Sequence, residues 1–536
     1  MSAPALIILS GTFVGAELVA EFGRLPPSLL PNGGQPLYAA QCDMADALGA
    51  RPILVLPEDY VIPQFDREWL ADRGVAVVPV AADAALRDSL FAGLKVANGA
   101  TGVYVLFGDT LVPQLRAWPQ DCFVAGPTDH IAFWASYDDT PAGCVFREMR
   151  PDEVGTGAVV AGFFRFGETA ALIRAAEGSD DLIGLLNAYG AVHPLSAVTD
   201  TDWFDFGHLF TYHQSRCRAL LARSFNSVTS DGHSVVKSGT PARKIYAEAQ
   251  WYKELPAQLR PYVPHFMGEG ERGTVSYEVE YLYLPLMSEL YCFTALPRSA
   301  WIAMLAGCRD LLETMQAIAP FAHCVPPEFP NLFFADMVAA KTRERLDCFA
   351  AMRGLSTDRA WHFNGRPLPS LDTVVDTLIA MVEPTRPEDV GVWHGDFHFG
   401  NIFYDFRSRK VRVVDPRGQL SNGTLTMYGD TRYDLAKLGH SILGRYDLLI
   451  ADRYHLNYDG GYNVALDFGT DGAGPPEIET LYAEMTIGRY PTADRKAVAL
   501  IALLFLSMLP LHASNPKRQI ALLANGLRLS EQAAAL

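Results

Sequence analysis

The stretch His394-Gly395-Asp396-Phe397-His398-Phe399-Gly400-Asn401 constrains this chain most. It is polar, yet Val392-Trp393 precede it and Ile402-Phe403 follow it, so it reads as a short loop between two buried segments. An Asp with an Asn five positions on suits phosphoryl transfer. In that chemistry a carboxylate holds the acceptor hydroxyl and takes its proton, while an Asn on the same loop ligates magnesium. Fourteen residues past Asn401, Val411-Arg412-Val413-Val414-Asp415 reads as a strand that ends in a carboxylate. Hard magnesium prefers such oxygen donors and keeps waters and phosphates in its shell.

HGDFHFGN, followed by VVDPRG and then GDTRYDLAKL, resembles the aminoglycoside phosphotransferase and choline kinase superfamily, small-molecule relatives of the protein kinases. HGD stands where protein kinases carry HRD, and DPR where they carry DFG. The resemblance implies a two-lobed, protein-kinase-like α+β domain with ATP and Mg2+ as cofactors and a small-molecule hydroxyl as acceptor. It implies Asp396 as the catalytic carboxylate and Asn401 and Asp415 as metal ligands. Asp430 or Asp434, at the start of a helix, caps backbone N–H groups and holds the loop. His394 reads as a backbone brace and His398 as a residue facing the acceptor, since no zinc spacing accompanies them.

Upstream, the β-prone runs 223–228 and 233–237 flank Asp231-Gly232 and read as a hairpin. In a kinase-like domain the second strand carries the Lys that holds ATP phosphates, which makes Lys237 the candidate. Glu248, eleven residues on in the helical stretch 241–255, is its expected partner. Lys244 and Lys253 are rivals, though both fall in the helical pattern, and no GxGxxG marks the loop. Residues 277–282 alternate like a strand and lead to the place of an inter-lobe hinge. Apolar residues recur at helical spacing over 301–318, 333–352 and 371–382, with proline breaks at 326–330 and 364–369. The expected lobes are about 221–295 and about 296–536.

The N-terminal region opens with Ala5-Leu6-Ile7-Ile8-Leu9, the form of a strand buried on both faces of a parallel sheet. A helix is expected over 35–48, and further strands over 52–56, 75–80 and 103–107 with helical segments between them. That alternation argues a doubly wound α/β domain whose ligands sit at the carboxyl ends of its strands, where Gly108-Asp109 lies. A further helix, 206–222, leads toward the second domain.

LSGTFVGAEL, PPSLLPNGGQPLYAAQ, VLFGDTLV, VVAGFFRF and TDWFDFGHLFTY together resemble the sugar-phosphate nucleotidyltransferases. The resemblance covers about residues 1–220 and implies a nucleotidyltransferase-like, GT-A-like fold. By position it places the two carboxylates of that family's magnesium site at Asp109 and Asp205. Three cations of the family pattern are absent: its Arg falls on Glu17 and its two Lys on Pro27 and Gln35. Those cations grip the nucleotide phosphates, so a degenerate or repurposed domain is expected.

Composition sets outer limits. At 536 residues the chain spans two to four domains, and its net charge of −17 argues against nucleic acid or an anionic membrane as a partner. The eight cysteines form no CxxC pair and read as reduced, mostly buried thiols of a cytoplasmic protein. No basic segment precedes the apolar N-terminal run, so a signal peptide is not expected. The apolar run 497–509 is too short to span a bilayer and reads as a buried helix, so no membrane insertion is expected. Together these readings describe a small-molecule kinase that uses a nucleoside triphosphate to phosphorylate a sugar or an amino alcohol. By analogy it belongs to surface polysaccharide or activated-precursor synthesis. A bifunctional kinase–nucleotidyltransferase and a non-catalytic nucleotide-binding scaffold are the alternatives.

Overall fold

Ala5–Leu9 forms a strand, β1, every residue of which is buried. The computed structural model describes residues 3–536 apart from 116, 129–133, 154–157, 224–227, 271–274, 322–323 and 470–475. The chain divides into two units, Met1–Ala222 with Phe293–Ala295, and Arg223–Cys292 with Leu296–Leu536.

In the first unit, β2 (Arg51–Pro57), β3 (Ala76–Val80) and β4 (Val103–Phe107) join β1 in parallel. The helices Leu37–Ala47, Gln64–Asp72 and Leu86–Val96 lie between them in sequence. A short pair, β5 (Thr110–Leu111) and β11 (Phe204–Asp205), stands apart from the main sheet. β6 (Cys122–Pro127), β9 (Ala158–Phe166) and β10 (Ser196–Val198) complete seven strands in the order β10-β6-β9-β4-β1-β2-β3, and β7 (Ala135–Thr140) and β8 (Gly143–Glu148) form a separate antiparallel pair. β9 runs antiparallel to both β4 and β6, so the sheet is mixed, with its parallel part where the apolar runs are continuous. Ile7, Leu9, Ile53, Val55, Val105, Phe123 and Phe164 fill the core beneath the helix carrying Leu90 and Leu94. Each such burial contributes about 1.5–3 kcal/mol. The helix expected over 206–222 runs Leu209–Arg223.

The second unit begins with a four-stranded antiparallel sheet, β12 (Val228–Ser230), β13 (Ser234–Ser238), β14 (Phe266–Glu269) and β15 (Ser276–Glu280), ordered β12-β13-β15-β14. β12 and β13 are the expected hairpin around Asp231-Gly232; residues 224–227 of its first run lie outside the described residues. The helix Ala242–Glu254 buries Ile245, Ala249, Trp251 and Tyr252, and the Tyr252 ring lies tilted against Tyr277 of β15, centroids 5.7 Å apart.

The remainder of the unit is mainly helical. Arg298–Ala317 buries Trp301, Met304, Leu305, Cys308, Leu311, Leu312 and Met315, the three-and-four spacing of one helix face. Arg495–Met508 is buried from Val498 onward, so the apolar run 497–509 lies in a core helix. With the turn that follows it, Arg495–His512 is long and apolar enough to cross a membrane, which corrects the reading of the run as too short; it is the one such span among the described residues, and 67% of it is buried inside the fold.

Two local expectations are corrected. The helix read over 333–352 is broken into Phe329–Phe333, a π-helix Phe334–Ala340, and Lys341–Arg353. The widened π turn places Asp336 where its carboxylate accepts from the Ser421 backbone N–H at 2.9 Å. The proline-containing stretch 364–369 is not only a break: Arg366–Ser370 pairs with Ala360–Phe363 as the edge strand of a sheet. An edge position needs no N–H from Pro367 or Pro369. All eight cysteines are free, six of them buried.

Candidate active site

Val390–Val392 pairs antiparallel with Tyr428–Asp430, and Ile402–Asp405 pairs with Lys410–Val413. The loop 393–401 is strung between these two ribbons. Asp434, in the first turn of the helix Thr431–Ile442, accepts from the backbone N–H of His394 at 2.6 Å and of Gly395 at 2.8 Å. Asp430 is that helix's N-cap. His394 is fully buried, its Nδ1 accepts from the Asp396 N–H at 3.3 Å, and burial pushes its pKa down to about 4. It therefore stays neutral and acts as a brace. Gly395 has φ 78°, and a Cβ there would sit 2.6 Å from the Cβ of Arg417, so the turn into Asp396 requires glycine.

Asp396 is held from three sides. Lys437 Nζ lies 2.8 Å from its Oδ1, His398 Nε2 lies 3.6 Å from its Oδ2, and Asn401 Nδ2 donates to its Oδ2 at 3.2 Å. Burial works to raise the carboxyl's pKa, but Lys437 and His398 outweigh it and hold the group well below the usual carboxylate range. The side chain keeps 38% of its surface exposed, so it is open to solvent on one side. A carboxylate this acidic is a weak base: it can orient a hydroxyl by accepting its hydrogen bond, and it takes a proton only late in a reaction.

Asp415 lies two residues beyond its strand, which ends at Val413, not within it as the sequence reading has it. Its φ is 59°, a left-handed conformation that Asp tolerates at some cost. Lys237 Nζ bridges to it: 2.9 Å to Asp415 Oδ1 and 2.7 Å to Glu248 Oε2. Glu248 is completely buried and also accepts from the Tyr277 hydroxyl at 2.8 Å. Burial raises the Glu248 pKa, with Lys237 opposing. Burial depresses that of Lys237, but Asp415 and Glu248 outweigh it and the ammonium stays charged. The rivals stand elsewhere: Lys244 is 57% exposed and 3.7 Å from Glu248, and Lys253 pairs with Glu269. Trp251, on the Glu248 helix, donates its indole N–H to the Trp393 carbonyl at 2.9 Å, which ties that helix to the loop 393–401.

The donor set fits magnesium. Asn401 turns its amide N–H toward Asp396, leaving its side-chain oxygen out of those bonds, and the Asn401 carbonyl accepts from the Val414 N–H beside Asp415. Among the described residues no cluster of three or more His, Cys, Asp or Glu is arranged to hold a metal. Few protein oxygens are what a magnesium shared with substrate phosphates requires.

In the first unit, a Cβ on Gly108 would lie 2.8 Å from the Leu9 carbonyl, so only glycine lets the chain turn there and leave Asp109 at the carboxyl end of β4. The β5–β11 pair sets Asp205 opposite Thr110. A point beside Gly207 lies 2.4 Å from Asp109 Oδ2 and 3.2 Å from Asp205 Oδ1, so the two carboxylates converge. Burial, then the Asp205 charge, pushes the Asp109 pKa up to about 7. Asp205 accepts from the Gly207 N–H at 3.1 Å and from the Thr211 hydroxyl, and lies 3.2 Å from His208 Nδ1. These oxygens suit magnesium in kind, although protein donors already engage Asp205. Glu17 is exposed in the first turn of its helix, and its charge reaches His208. Pro27 opens a 3-10 turn and Gln35 accepts from the Asn32 N–H through its carbonyl.

Residues 221–468 match the model of the phosphotransferase enzyme family. This region is a phosphotransferase-family domain. No curated protein matches the chain. Among solved structures, CTP:phosphocholine cytidylyltransferase from Streptococcus pneumoniae is similar at 13% identity and TM-score 0.32, over 40% of this chain and 98% of that one. The inositol-1-phosphate CTP transferase from T. maritima is similar at 13% identity and TM-score 0.33, over 41% and 96%. Aminoglycoside-3'-phosphotransferase of type VIII is similar at 14% identity and TM-score 0.28, over 60% and 99%.

The phosphotransferase-family domain also holds charges that the sequence reading did not single out. Lys437 is the direct partner of Asp396. Its signal was available: it lies three residues past Asp434, on the same helix face. Tyr433 and Arg417 act on its charge, and Lys341 meets the same Tyr433. Lys341 Nζ lies 2.7 Å from the Tyr433 hydroxyl, and both are buried. Burial lowers the Lys341 pKa to about 8. Burial would raise that of Tyr433, but Lys341, Lys437 and Arg417 outweigh it and bring it down to about 8.

Proposed function

We propose that the second unit is an ATP- and magnesium-dependent kinase that phosphorylates a hydroxyl of a small molecule, a sugar or an amino alcohol. The observation that carries this reading is the bridge from Lys237 to both Glu248 and Asp415, in the same unit as a half-buried Asp396 held ionised by Lys437. Lys237 would grip the ATP phosphates and Glu248 would fix its position. Asn401 and Asp415 would hold magnesium, which neutralises phosphate charge when bound. Asp396 orients the acceptor hydroxyl, whose oxygen attacks the γ-phosphorus as the bond to the ADP oxygen breaks. The hydroxyl proton passes to Asp396 late in that step and then to solvent. On this reading the kinase lobes are about 221–295 and 296–536, the protein is cytoplasmic, and it serves surface polysaccharide or precursor synthesis. The test is an ATP-consumption screen of the purified chain against sugars, choline, ethanolamine and aminoglycosides, with products checked by mass. No acceptor-dependent ADP formation would leave the scaffold reading.

A second reading, a bifunctional enzyme, draws on one observation: Asp205 lines a cavity of about 450 Å3 together with Trp134, Trp203 and Arg218. Against it, Glu17 stands where the nucleotidyltransferase pattern has a cation. At about 4 Å a like charge costs roughly 1 kcal/mol in water, and more in a drier site. We therefore read the first unit as degenerate or repurposed. Pyrophosphate release from an NTP, with the kinase product as acceptor, decides between the two: robust release promotes the bifunctional reading.

A further inference from the structure

Asp396 is surrounded by more positive charge than phosphoryl transfer to a neutral alcohol requires. The Arg417 stem crosses Gly395: a Cβ on that glycine would lie 2.6 Å from Arg417 Cβ and 3.1 Å from its Cδ. The guanidinium is therefore carried past the residue next to Asp396. It is partly exposed, and its Nε donates to the Gln419 carbonyl at 3.1 Å. Among the described residues no carboxylate pairs with Arg417, Lys341 or Arg345. Lys341 has only the Tyr433 hydroxyl, and Arg345 donates to the Ser507 carbonyl at 3.0 Å with Glu344 beside it in sequence. The cations act on one another: Arg417 and Arg345 both disfavour charge on Lys341, and Arg417 disfavours it on Lys437.

The acids facing this group do not balance it. Asp396 is one, and Asp434 is buried and spent on the His394 and Gly395 backbone. Asp396 matches Lys437 and Glu344 acts on Arg345, which leaves Arg417 and Lys341 as the two of these cations with no carboxylate among the described residues, in a chain whose net charge is −17. Lys341 is buried with no carboxylate against it, an arrangement costly to a fold, and a bound anion beside the half-exposed Arg417 would relieve it. The loop bearing Arg417 is also held in place: Asp336 of the π-helix accepts from Ser421, and Arg243 donates to the Gly423 carbonyl at 2.6 Å.

We propose that the acceptor carries an anionic group, a phosphate monoester or a carboxylate, which the Arg417 guanidinium binds while Lys437, Lys341 and Arg345 supply field behind it. The planar fork of Arg suits either group bidentately. The acceptor's hydroxyl then reaches Asp396 and its anion reaches Arg417, which favours sugar phosphates and sugar acids over amino alcohols and aminoglycosides. The anionic group is a handle and is unchanged by the reaction. The inference rests on the kinase reading above.

The test has two arms, both on the full chain. In the first, ADP formation is measured with matched acceptors: glucose, glucosamine, glucuronate and glucose 6-phosphate, and glycerol, ethanolamine, glycerate and glycerol 3-phosphate. Higher kcat/KM for an anionic member than for its neutral and cationic counterparts is expected, and the phosphate and carboxylate members separate the two anions. A neutral or cationic acceptor preferred over its anionic counterpart overturns the proposal and leaves the kinase reading standing. In the second arm, binding of inorganic phosphate is titrated at saturating non-hydrolysable ATP analogue in wild type, Arg417→Met and Arg417→Lys. Loss of a charged hydrogen-bonding partner predicts about ten- to a hundredfold weaker binding in Arg417→Met, with much of it restored in Arg417→Lys. Both variants keep the stem that packs on Gly395, so a purely structural role would not separate them. Equal phosphate affinity in all three overturns the proposal. Arg417-dependent phosphate binding with no turnover on any acceptor supports the anion site and counts against the kinase reading.

Discussion

Replacing Lys237 with Met tests the bridge to which the proposed function assigns the ATP phosphates. Met keeps most of the stem but removes the ammonium that lies 2.7 Å from Glu248 and 2.9 Å from Asp415. Asp415 is 45% exposed and is resolvated at little cost, whereas Glu248 is fully buried. It would retain only the Tyr277 hydroxyl at 2.8 Å and the exposed Lys244 at 3.7 Å. Breaking a buried pair from one side costs about 3–5 kcal/mol, because the partner's charge is left uncompensated. For a unit of this size that corresponds to a fall of about 5–10 °C in melting temperature. Lys237→Met with Glu248→Gln removes the orphaned charge and is expected to regain at least half of the loss, while ATP affinity stays low in both proteins. Differential scanning calorimetry of wild type, both single variants and the double variant measures the coupling directly. Lys237→Met melting with the wild type, or a double variant no more stable than Lys237→Met, refutes the argument.

Two more outcomes follow from the same geometry. Asp415→Ala is expected to abolish magnesium-dependent ATP binding, whereas Asp109→Ala, in the other unit, leaves kinase turnover unchanged; parallel turnover assays check this, and equal losses contradict it. The Lys341–Tyr433 pair predicts a pH dependence of stability. Both groups have folded pKa values lowered to about 8, so between about pH 8 and 10 the unfolded chain holds more protons than the folded one. Stability therefore rises with pH across that window, and the contribution is lost as pH falls through 8. Counting the coupled pair once, the gain is about 2 kcal/mol. Urea midpoints at pH 7.5 and 9.5 should show that rise in the wild type and its absence in Lys341→Met/Tyr433→Phe.

What the sequence conveyed was local and ordered. Ala5–Leu9 and Val103–Phe107 coincide with their apolar runs, because a strand covered on both faces needs no alternation. The loop 394–401 was legible as a loop because its polar residues stand between the apolar runs 392–393 and 402–403, which flank it as largely buried segments. The pairing of Lys237 with Glu248 was reached through element order, since cross-strand register and a packed helix bring them together. What was not legible depends on contacts between distant segments. Lys341 and Lys437 are 96 residues apart and look like ordinary helix lysines; only packing on Tyr433 reveals a shared field. The left-handed Asp415 and the π turn at 334–340 are backbone conformations without a local residue signature. The edge strand 366–370 was hidden because its prolines argue for a break unless the neighbouring strand is known.

The central claim is that Asp396 handles the acceptor hydroxyl, and Asp396→Asn tests it most directly. The amide is isosteric, so packing against Asn401 and His398 is nearly preserved while proton acceptance and the Lys437 pair are lost. The measurement is acceptor-dependent phosphorylation, followed as ADP formed and phosphorylated product detected by mass, in wild type and variant with matched melting curves. The account predicts turnover in the wild type and a loss of about 10²–10⁴-fold in the variant, with ATP binding retained. Wild-type turnover by Asp396→Asn on a genuine acceptor would contradict it.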